Sequence, residues 1–228
     1  MKLLLTCEHG GNEIPEEYQK YFKNAGNVLQ SHRGYDPGAM DLFYLLRELA
    51  DFSYYSKTSR LLIELNRSLH HPRFFSEFTK NISSTEKNDI IEGFYLPYRN
   101  LVEKWISETL KKGEKVLHIS VHSFSPELNG NVRNADIGLL FDPSKTEEKK
   151  YCKILKKQLL LTGPQFRVRF NYPYLGKADG FTTYLRKKFP RNYSGIELEI
   201  NQKYSVENKI QAALKDRIQL ALKNSLKI

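Results

Sequence analysis

Short apolar runs alternate with stretches of helical periodicity along almost the whole chain. Runs of about four to eight apolar residues predict strands, whereas apolar residues recurring every three or four positions predict helices. Strands separated by helices need crossover connections, so neighbouring strands are expected to be mainly parallel. The pattern therefore predicts an α/β protein: a single three-layer domain over residues 1–228, with a mixed, mainly parallel sheet flanked by helices. The predicted strands lie at about 3–7, 52–56, 61–65, 116–122, 136–141, 166–170 and 195–200, and the clearest helices at 37–50, 94–112, 146–161 and 206–227.

Four of the predicted strands end in side chains that can do chemistry. His9 follows the first strand, Asn66 and Arg67 follow the third, His122 ends the fourth, and Glu199 lies near the end of the last. In an open parallel sheet the carboxyl ends of the strands share one edge, and ligands bind in the crevice there. Imidazoles, a guanidinium and a carboxylate gathered at such an edge indicate a metal-assisted hydrolase site.

The strand at 116–122 carries polar residues on one face, namely His118, Ser120 and His122. A parallel strand covered on both faces should be apolar throughout. Either this face borders a polar site, or the strand lies at an edge of the sheet. We favour the site for His122 and a hydrogen-bonded structural role for His118.

The last strand poses the same question, because Glu197, Glu199 and Asn201 share one face. Two glutamates that point the same way repel each other and resist burial unless they are paired. An exposed edge strand would remove this conflict. Otherwise Glu199, at the strand end, is a candidate general base beside a cation.

Asp36 precedes Pro37 at the start of a predicted helix. An aspartate in this place caps a helix, with proline at the first helical position. It can equally be an oxygen ligand held on the helix end, and one carboxylate can do both through different oxygens. His9 taken alone is interpreted by default as an ordinary loop histidine, although Gly10 and Gly11 permit a tight turn and a close approach of the backbone beside it.

Composition narrows the class of protein. No run approaches the ~18 apolar residues of a membrane span, and the N-terminal apolar segment is too short for a secretory signal. We therefore expect a cytoplasmic protein.

The net charge is +10, but the lysines are spread over several predicted helices. Solvated helix faces explain them as well as a nucleic-acid stripe does, and a positive field also attracts a small anionic substrate. The aperiodic segment 68–85 is predicted to be a lid or binding loop.

Six segments in a fixed order resemble the N-formylglutamate amidohydrolase family, over residues 3 to about 203. Each segment is moderately specific, and the ordered set is strong. The segments are TCEHGGN at 6–12 followed by Ile14-Pro15, HRGYDPGA at 32–39, LNRS at 65–68, VHSF at 121–124, NYPY at 171–174 and ELEIN at 197–201.

The resemblance implies a fold related to zinc carboxypeptidases and aspartoacylases, with Zn²⁺ or another divalent metal at the strand ends. Those relatives bind the metal through a histidine, a glutamate three residues later and a distant histidine. Here His9 and His122 match the two histidines. Asn12 stands where the glutamate would be, so Asp36 is the first choice for the third ligand and Glu13 the second.

The resemblance also implies the remaining roles. Asn66 and Arg67 match a pair that holds the substrate carboxylate, and Glu199 matches the catalytic glutamate. We expect Arg67 or Arg186 to stabilise the oxyanion, and Asn171 and Arg186 to line the substrate site. The implied substrate is a small anionic N-acyl amino acid such as N-formyl-L-glutamate.

Two other functions stay open from the sequence. One is a zinc carboxypeptidase-like hydrolase of short peptides, which a wider cleft around 68–85 would favour. The other is a basic nucleic-acid-associated protein with a vestigial site. The hydrolase hypotheses require His9 and His122 to meet; a separation beyond about 12 Å, against metal–ligand bonds of ~2 Å, would end them.

Overall fold

The computed structural model describes residues 1–227. Its centre is a six-stranded sheet, accompanied by two short hairpins. The sheet contains β1 (Lys2–Cys7), β2 (Phe52–Tyr55), β3 (Val116–Phe124), β6 (Ile137–Leu140), β7 (Val168–Phe170) and β8 (Tyr193–Asn201); the hairpins are β4 (Glu127–Leu128) with β5 (Asn131–Val132), and β9 (Ser205–Val206) with β10 (Lys209–Ile210).

The strands of the sheet follow the order β2-β1-β3-β8-β6-β7. The pairs β1–β2, β1–β3, β3–β8 and β6–β7 are parallel, and only β6–β8 is antiparallel. The predicted mixed, mainly parallel sheet is therefore confirmed. Because β3 and β8 are interior strands, the edge-strand explanation of their polar residues is wrong.

Helices cover both faces of the sheet, as the three-layer prediction requires. α2, α5 and α7 pack on one face, and α4 and α6 pack on the other together with the segment 61–65. No helix within residues 1–227 combines the length and apolar character needed to cross a bilayer. The helices are α1 (Gly26–Leu29), α2 (Ala39–Leu46), α3 (Ser84–Ile90), α4 (Leu96–Lys111), α5 (Thr146–Thr162), α6 (Phe181–Lys188) and α7 (Ala212–Ser225); a π-helical turn, Ile91–Tyr95, joins α3 to α4, and 3₁₀ turns lie at Glu16–Tyr21, Arg47–Leu49 and Gln202–Tyr204.

The apolar run 61–65 is not a strand, contrary to the prediction. Its leucines and isoleucine are almost fully buried, but its backbone bonds to neighbouring loops rather than to a sheet. The Glu64 amide donates to the Phe74 carbonyl at 3.0 Å, and the Thr79 hydroxyl donates to the Leu62 carbonyl at 3.1 Å. A buried irregular segment has the same apolar signature as a buried strand, so periodicity cannot separate them.

Two predicted helix starts also move. The helix predicted from 206 begins at Ala212, because the β9–β10 hairpin turns at Glu207 and Asn208, both with positive φ as a two-residue hairpin turn requires. The helix predicted from 37 begins at Ala39 with Gly38 as its N-cap. Asp36 therefore does not cap this helix, and its carboxylate is free for other contacts.

The pleat of the sheet sorts the side chains of the central strands. Leu117, Ile119 and Val121 of β3 join the core under α2, α5 and α7. His118, Ser120 and His122 face the side covered by α4 and α6, because successive strand residues point to opposite faces. Glu197 and Glu199 lie opposite Ser120 and His122 in the register. One face of the sheet thus gathers the polar residues towards its carboxyl edge.

Candidate active site

The structure brings His9, Asp36 and His122 together at the carboxyl edge of β1 and β3. All three are buried, with 3 to 4% of each residue exposed. His9 sits in a tight turn after β1; a Cβ on Gly11 would lie 2.5 Å from the Lys57 carbonyl oxygen, so only glycine permits this close approach. Asp36 lies in the loop before α2, where its amide donates to the His9 carbonyl at 2.9 Å.

Three possible ligand atoms of these residues lie close together. The Nδ1 atoms of His9 and His122 are 3.2 Å apart. Asp36 Oδ2 lies 2.9 Å from His122 Nδ1 and 3.5 Å from His9 Nδ1. Ligands of a tetrahedral zinc ion, with bonds of ~2.0 to 2.1 Å, stand about 3.3 Å from one another. The triangle therefore has the dimensions of three corners of such a site.

Carboxylates hold the outer nitrogen of each imidazole. His9 Nε2 contacts Glu64, and His122 Nε2 lies 3.2 Å from Glu8 Oε2 and 2.8 Å from the Ser120 hydroxyl. An Nε2–H that donates to a carboxylate leaves the Nδ1 lone pair for a metal, and such partners fix the orientation of the ring. Burial opposes ionisation of Glu64, but the charges of His9 and Arg60 outweigh it and lower its pKa to about 2.

Glu8 is the more deeply buried of these two supports. It is fully enclosed and accepts hydrogen bonds from the Ser120 hydroxyl and, at 3.0 Å, from the Tyr98 hydroxyl. Burial alone would raise the pKa of Glu8, but the contact with His122 and the hydrogen bond from Ser120 outweigh burial and hold the pKa below its usual value. Glu8 is therefore a carboxylate at neutral pH. The sequence carries a weak signal for both supports, since Glu8 and Glu64 each interrupt or end a buried apolar run.

Arg60 is a cleft residue that the sequence analysis missed. Its Nη2 donates to Asp36 Oδ1 at 2.8 Å and contacts His9 Nδ1. Burial opposes ionisation of Asp36, but Arg60 and His9 hold its pKa well below the usual range. Hydrophobic periodicity gives no sign of Arg60, because this residue precedes the run 61–65, which is buried but is not a strand.

Glu199 lies beside this cluster on β8, opposite His122. Only 4% of the residue is exposed, and its Oε2 has no hydrogen-bond partner among residues 1–227. Burial raises its pKa to about 8, with His122 acting in the opposite direction. A buried carboxyl oxygen without a partner, next to converging imidazoles and with its pKa shifted towards neutral pH, is a candidate for general acid–base catalysis.

Asn66 and Arg67 line the same cleft. Asn66 Oδ1 accepts from the Phe181 amide at 2.7 Å, which leaves the Nδ2 of this side chain as a donor. The Arg67 guanidinium contacts the Asp179 carbonyl. Both side chains therefore present N–H groups to one cavity shared with the histidine cluster.

Two predicted substrate contacts are wrong. Arg186 is buried away from the cleft, where its Nε donates to Glu148 Oε1 at 2.8 Å and its Nη2 to the Gly195 carbonyl at 2.6 Å. Asn171 has a positive φ of 48°, and its Oδ1 accepts from the amides of Phe141 and Gly176, each at 3.0 Å. Arg186 ties α6 to β8, and Asn171 shapes a turn; neither reaches the cavity.

The second choice for the carboxylate ligand also lies elsewhere. Glu13 is exposed, and its Oε1 is 3.7 Å from Lys57 Nζ in a surface pair. His118, in contrast, is fully buried between two hydroxyls, with Thr6 Oγ1 and Tyr193 OH each at 2.7 Å. This is the structural role predicted for it.

The cleft is large, with a volume of about 1370 Å³. The histidine cluster, Glu199, Asn66 and Arg67 all line it. The predicted loop 68–85 is irregular up to residue 83 and lines the cleft as well. Its contribution consists of His71, Pro72, Arg73, Phe75, Ser76, Glu77 and Lys80.

The donor set fits a divalent metal ion. Two imidazole nitrogens and a carboxylate oxygen are the ligand types of catalytic zinc sites, which keep a further position for water or substrate. The candidate ligand atoms of His9, Asp36 and His122 all lie within 4.8 Å of one another. The three candidate ligand atoms are close enough to share one cation, and the Arg60 guanidinium beside Asp36 shows that this place attracts positive charge.

Comparisons with known proteins agree with this geometry. Residues 1–205 match the model of the N-formylglutamate amidohydrolase family. A gene product from Agrobacterium tumefaciens is 26% identical, with a TM-score of 0.80 over 99% of this chain and 90% of that one. An N-formylglutamate amidohydrolase from Ralstonia eutropha JMP134 is 16% identical, with a TM-score of 0.72 over 100% of this chain and 94% of that one, which shows the same fold. No curated protein matches the chain.

Proposed function

The chain belongs to the N-formylglutamate amidohydrolase family, and from that premise we propose that it is a metal-dependent enzyme that cleaves the N-acyl amide of an acidic amino acid. N-formyl-L-glutamate is the first candidate substrate. The products would be formate, or another small acid, and the free amino acid.

One observation carries this proposal. The triangle formed by His9 Nδ1, His122 Nδ1 and Asp36 Oδ2 has edges of 2.9 to 3.5 Å, and the unpartnered carboxylate of Glu199 lies in the same cavity. A metal-ligand set beside a free general base is the minimum equipment of a hydrolase that activates water.

The residues divide the chemistry between them. His9, Asp36 and His122 would hold the metal, which, when bound, acts as a Lewis acid that activates water and polarises the amide carbonyl. Glu199 would take the proton from the attacking water and deliver it to the leaving nitrogen. Arg60 would place a guanidinium next to the oxygen on which negative charge develops, where a low local dielectric strengthens the interaction.

The Asn66–Arg67 pair, which lines the same cleft, would bind the acidic part of the substrate. Arginine presents a planar fork that matches a carboxylate, and Asn66 adds an amide donor beside it. Arg67 would therefore hold the α- or side-chain carboxylate, and the net charge of +10 would assist the approach of an anion.

The size of the cleft supports a second candidate function. About 1370 Å³ exceeds the ~300 to 1,000 Å³ of pockets that hold drug-sized ligands, so the cavity has room for more than an N-formyl amino acid. A hydrolase of short peptides, with the loop 68–85 contacting the residues beyond the scissile bond, would use the same metal, base and carboxylate groups.

Metal analysis joined to an amine-release assay tests the proposal. We expect about one zinc or other divalent ion per chain, and release of the free amine from N-formyl amino acids faster than from N-acetyl amino acids or dipeptides. His122→Ala should abolish metal binding and turnover together, whereas His70→Ala, which removes an exposed histidine, should change neither. Absence of stoichiometric metal from active protein would refute the metal-dependent mechanism, and a preference for dipeptides would favour the second candidate.

A further inference from the structure

A buried arginine that has no acidic partner within residues 1–227 lies next to the Asn66–Arg67 pair. Only 4% of Arg99, on α4, is exposed, and within residues 1–227 it forms no ion pair, while its Nε and Nη2 have no hydrogen-bond partner. Burial lowers its pKa to about 10, so it still carries its charge at neutral pH. A buried, unpaired charge is unfavourable for folding, which indicates that this guanidinium serves another purpose.

Three aromatic rings enclose the Arg99 guanidinium. Its Cζ lies 4.6 Å from the ring centre of Tyr95, 4.5 Å from that of Phe181 and 4.6 Å from that of Tyr184. Cation–π contacts of this kind become stronger when they are desolvated. The rings replace the missing carboxylate and hold the guanidinium plane in one orientation.

The one side-chain hydrogen bond that Arg99 makes within residues 1–227 goes to the backbone of Arg67. Arg99 Nη1 donates to the Arg67 carbonyl at 2.9 Å, and the Tyr95 hydroxyl donates to the same oxygen at 2.8 Å. Tyr95 is the last residue of the π-helical turn, an irregularity that is frequent at functional sites. Two donors from one helix thus hold the peptide that carries the Arg67 side chain.

The neighbouring Asn66 side chain is held by the start of α6. The Phe181 amide binds Asn66 Oδ1 at 2.7 Å, and the Phe181 ring is also one wall of the cage around Arg99. The backbone at 66–67 therefore lies between α4 and α6, with little freedom to move.

We propose that Arg99, together with Tyr95, is a positioning residue that fixes the backbone of Arg67 so that the Asn66–Arg67 pair meets the carboxylate of an anionic substrate. The inference rests on the proposed function, because it takes Asn66 and Arg67 as the carboxylate-binding pair. If the Asn66–Arg67 pair is fixed before the substrate arrives, binding no longer has to supply the free energy needed to order these side chains. Loss of Arg99 therefore weakens the recognition of the carboxylate rather than the bond-breaking step.

Kinetics with charged and neutral substrates test this role. Two preference ratios are measured. The first divides kcat/KM for N-formyl-L-glutamate by kcat/KM for its side-chain amide, and the second divides it by kcat/KM for its α-amide. Arg67→Met should lower one of the two ratios about 100-fold, which identifies the carboxylate that is bound. Arg99→Met should lower the same ratio about tenfold, mainly through KM, and Tyr95→Phe about threefold, with metal content unchanged.

Tyr193→Phe is the matched control for Tyr95→Phe. It removes a buried hydroxyl that bonds His118 and not the Arg67 carbonyl, so it should lower stability but change neither ratio by more than about twofold. If Arg99→Met does not fold, Tyr95→Phe carries the test, since it removes a single hydroxyl.

The outcomes separate the two proposals. If Arg67→Met lowers a ratio while Arg99→Met and Tyr95→Phe leave it unchanged, or lower activity on all three substrates equally, the positioning role is refuted and the proposed function stands. If the wild-type protein hydrolyses no N-formyl amino acid, the proposed function fails. Calorimetric binding of glutarate then decides the inference: equal affinity for the wild-type and Arg99→Met proteins overturns it, and a tenfold weaker affinity in Arg99→Met supports it.

Discussion

The two ends of β8 bury charge in opposite ways. At its amino end, Arg186 and Glu148 form a closed set, because every nitrogen of the guanidinium and both carboxylate oxygens have a partner. At its carboxyl end, His9, Asp36 and His122 point three acceptors at one place, and Glu199 keeps an oxygen without a partner. Both clusters are almost fully buried.

The difference lies in what completes each cluster. The chain itself completes the Arg186 cluster, so that cluster contributes to holding the fold. In the carboxyl-end cluster Arg60 reaches Asp36 and His9, but Glu199 still has an oxygen without a partner among residues 1–227, and buried polar groups left in this condition mark functional sites. Substitutions at the two ends should therefore affect different properties of the protein.

The largest expected effect is on turnover, at the carboxyl end. Glu199→Gln keeps the shape of the side chain but removes the base, so kcat should fall about 10³-fold, equivalent to about 4 kcal/mol of barrier. Metal content and thermal stability should equal those of the wild type. Glu197→Gln is the matched control on the same face of β8, and its kcat should fall less than about tenfold. Turnover retained in Glu199→Gln would remove Glu199 as the base.

The next effect is on stability, at the amino end. Arg186→Met leaves Glu148 buried without its counter-charge, which costs about 3 to 5 kcal/mol in comparable buried pairs. Urea unfolding should show this loss, while KM per folded molecule should stay unchanged because Arg186 does not line the cleft. The double variant Arg186→Met/Glu148→Gln should recover part of the stability. A raised KM without a loss of stability would instead support the rejected substrate role of Arg186.

The same contrast explains which residues sequence reasoning could find. His9, His122 and Glu199 follow apolar strands, and the change from apolar to polar is visible along the chain. Whether Arg186 faces the cleft depends on Glu148, 38 positions away, and no local pattern reports that pairing. Sequence reasoning did not identify Arg60 and Arg99 for the same reason, since their partners lie in other elements. The fold was predictable where periodicity is strong, as in β3 and α5. The prediction of a strand failed at 61–65, because a buried segment outside the sheet has the same apolar run.

The smallest effect concerns His118, which faces the amino end of β8 opposite Gly195. Burial lowers the pKa of His118 from 6.5 to about 4, so between these pH values the unfolded chain binds a proton that the folded chain does not. Stability should therefore fall as pH drops from about 6.5 to about 4, by up to ~1.4 kcal/mol per pH unit for one proton, and this contribution should level off below pH 4. His118→Gln removes the titrating group, so its unfolding free energy should depend less steeply on pH in this window. Equal slopes for the two proteins would mean that His118 is already protonated in the folded state, and the amino end of β8 would then contain an uncompensated charge like the carboxyl end.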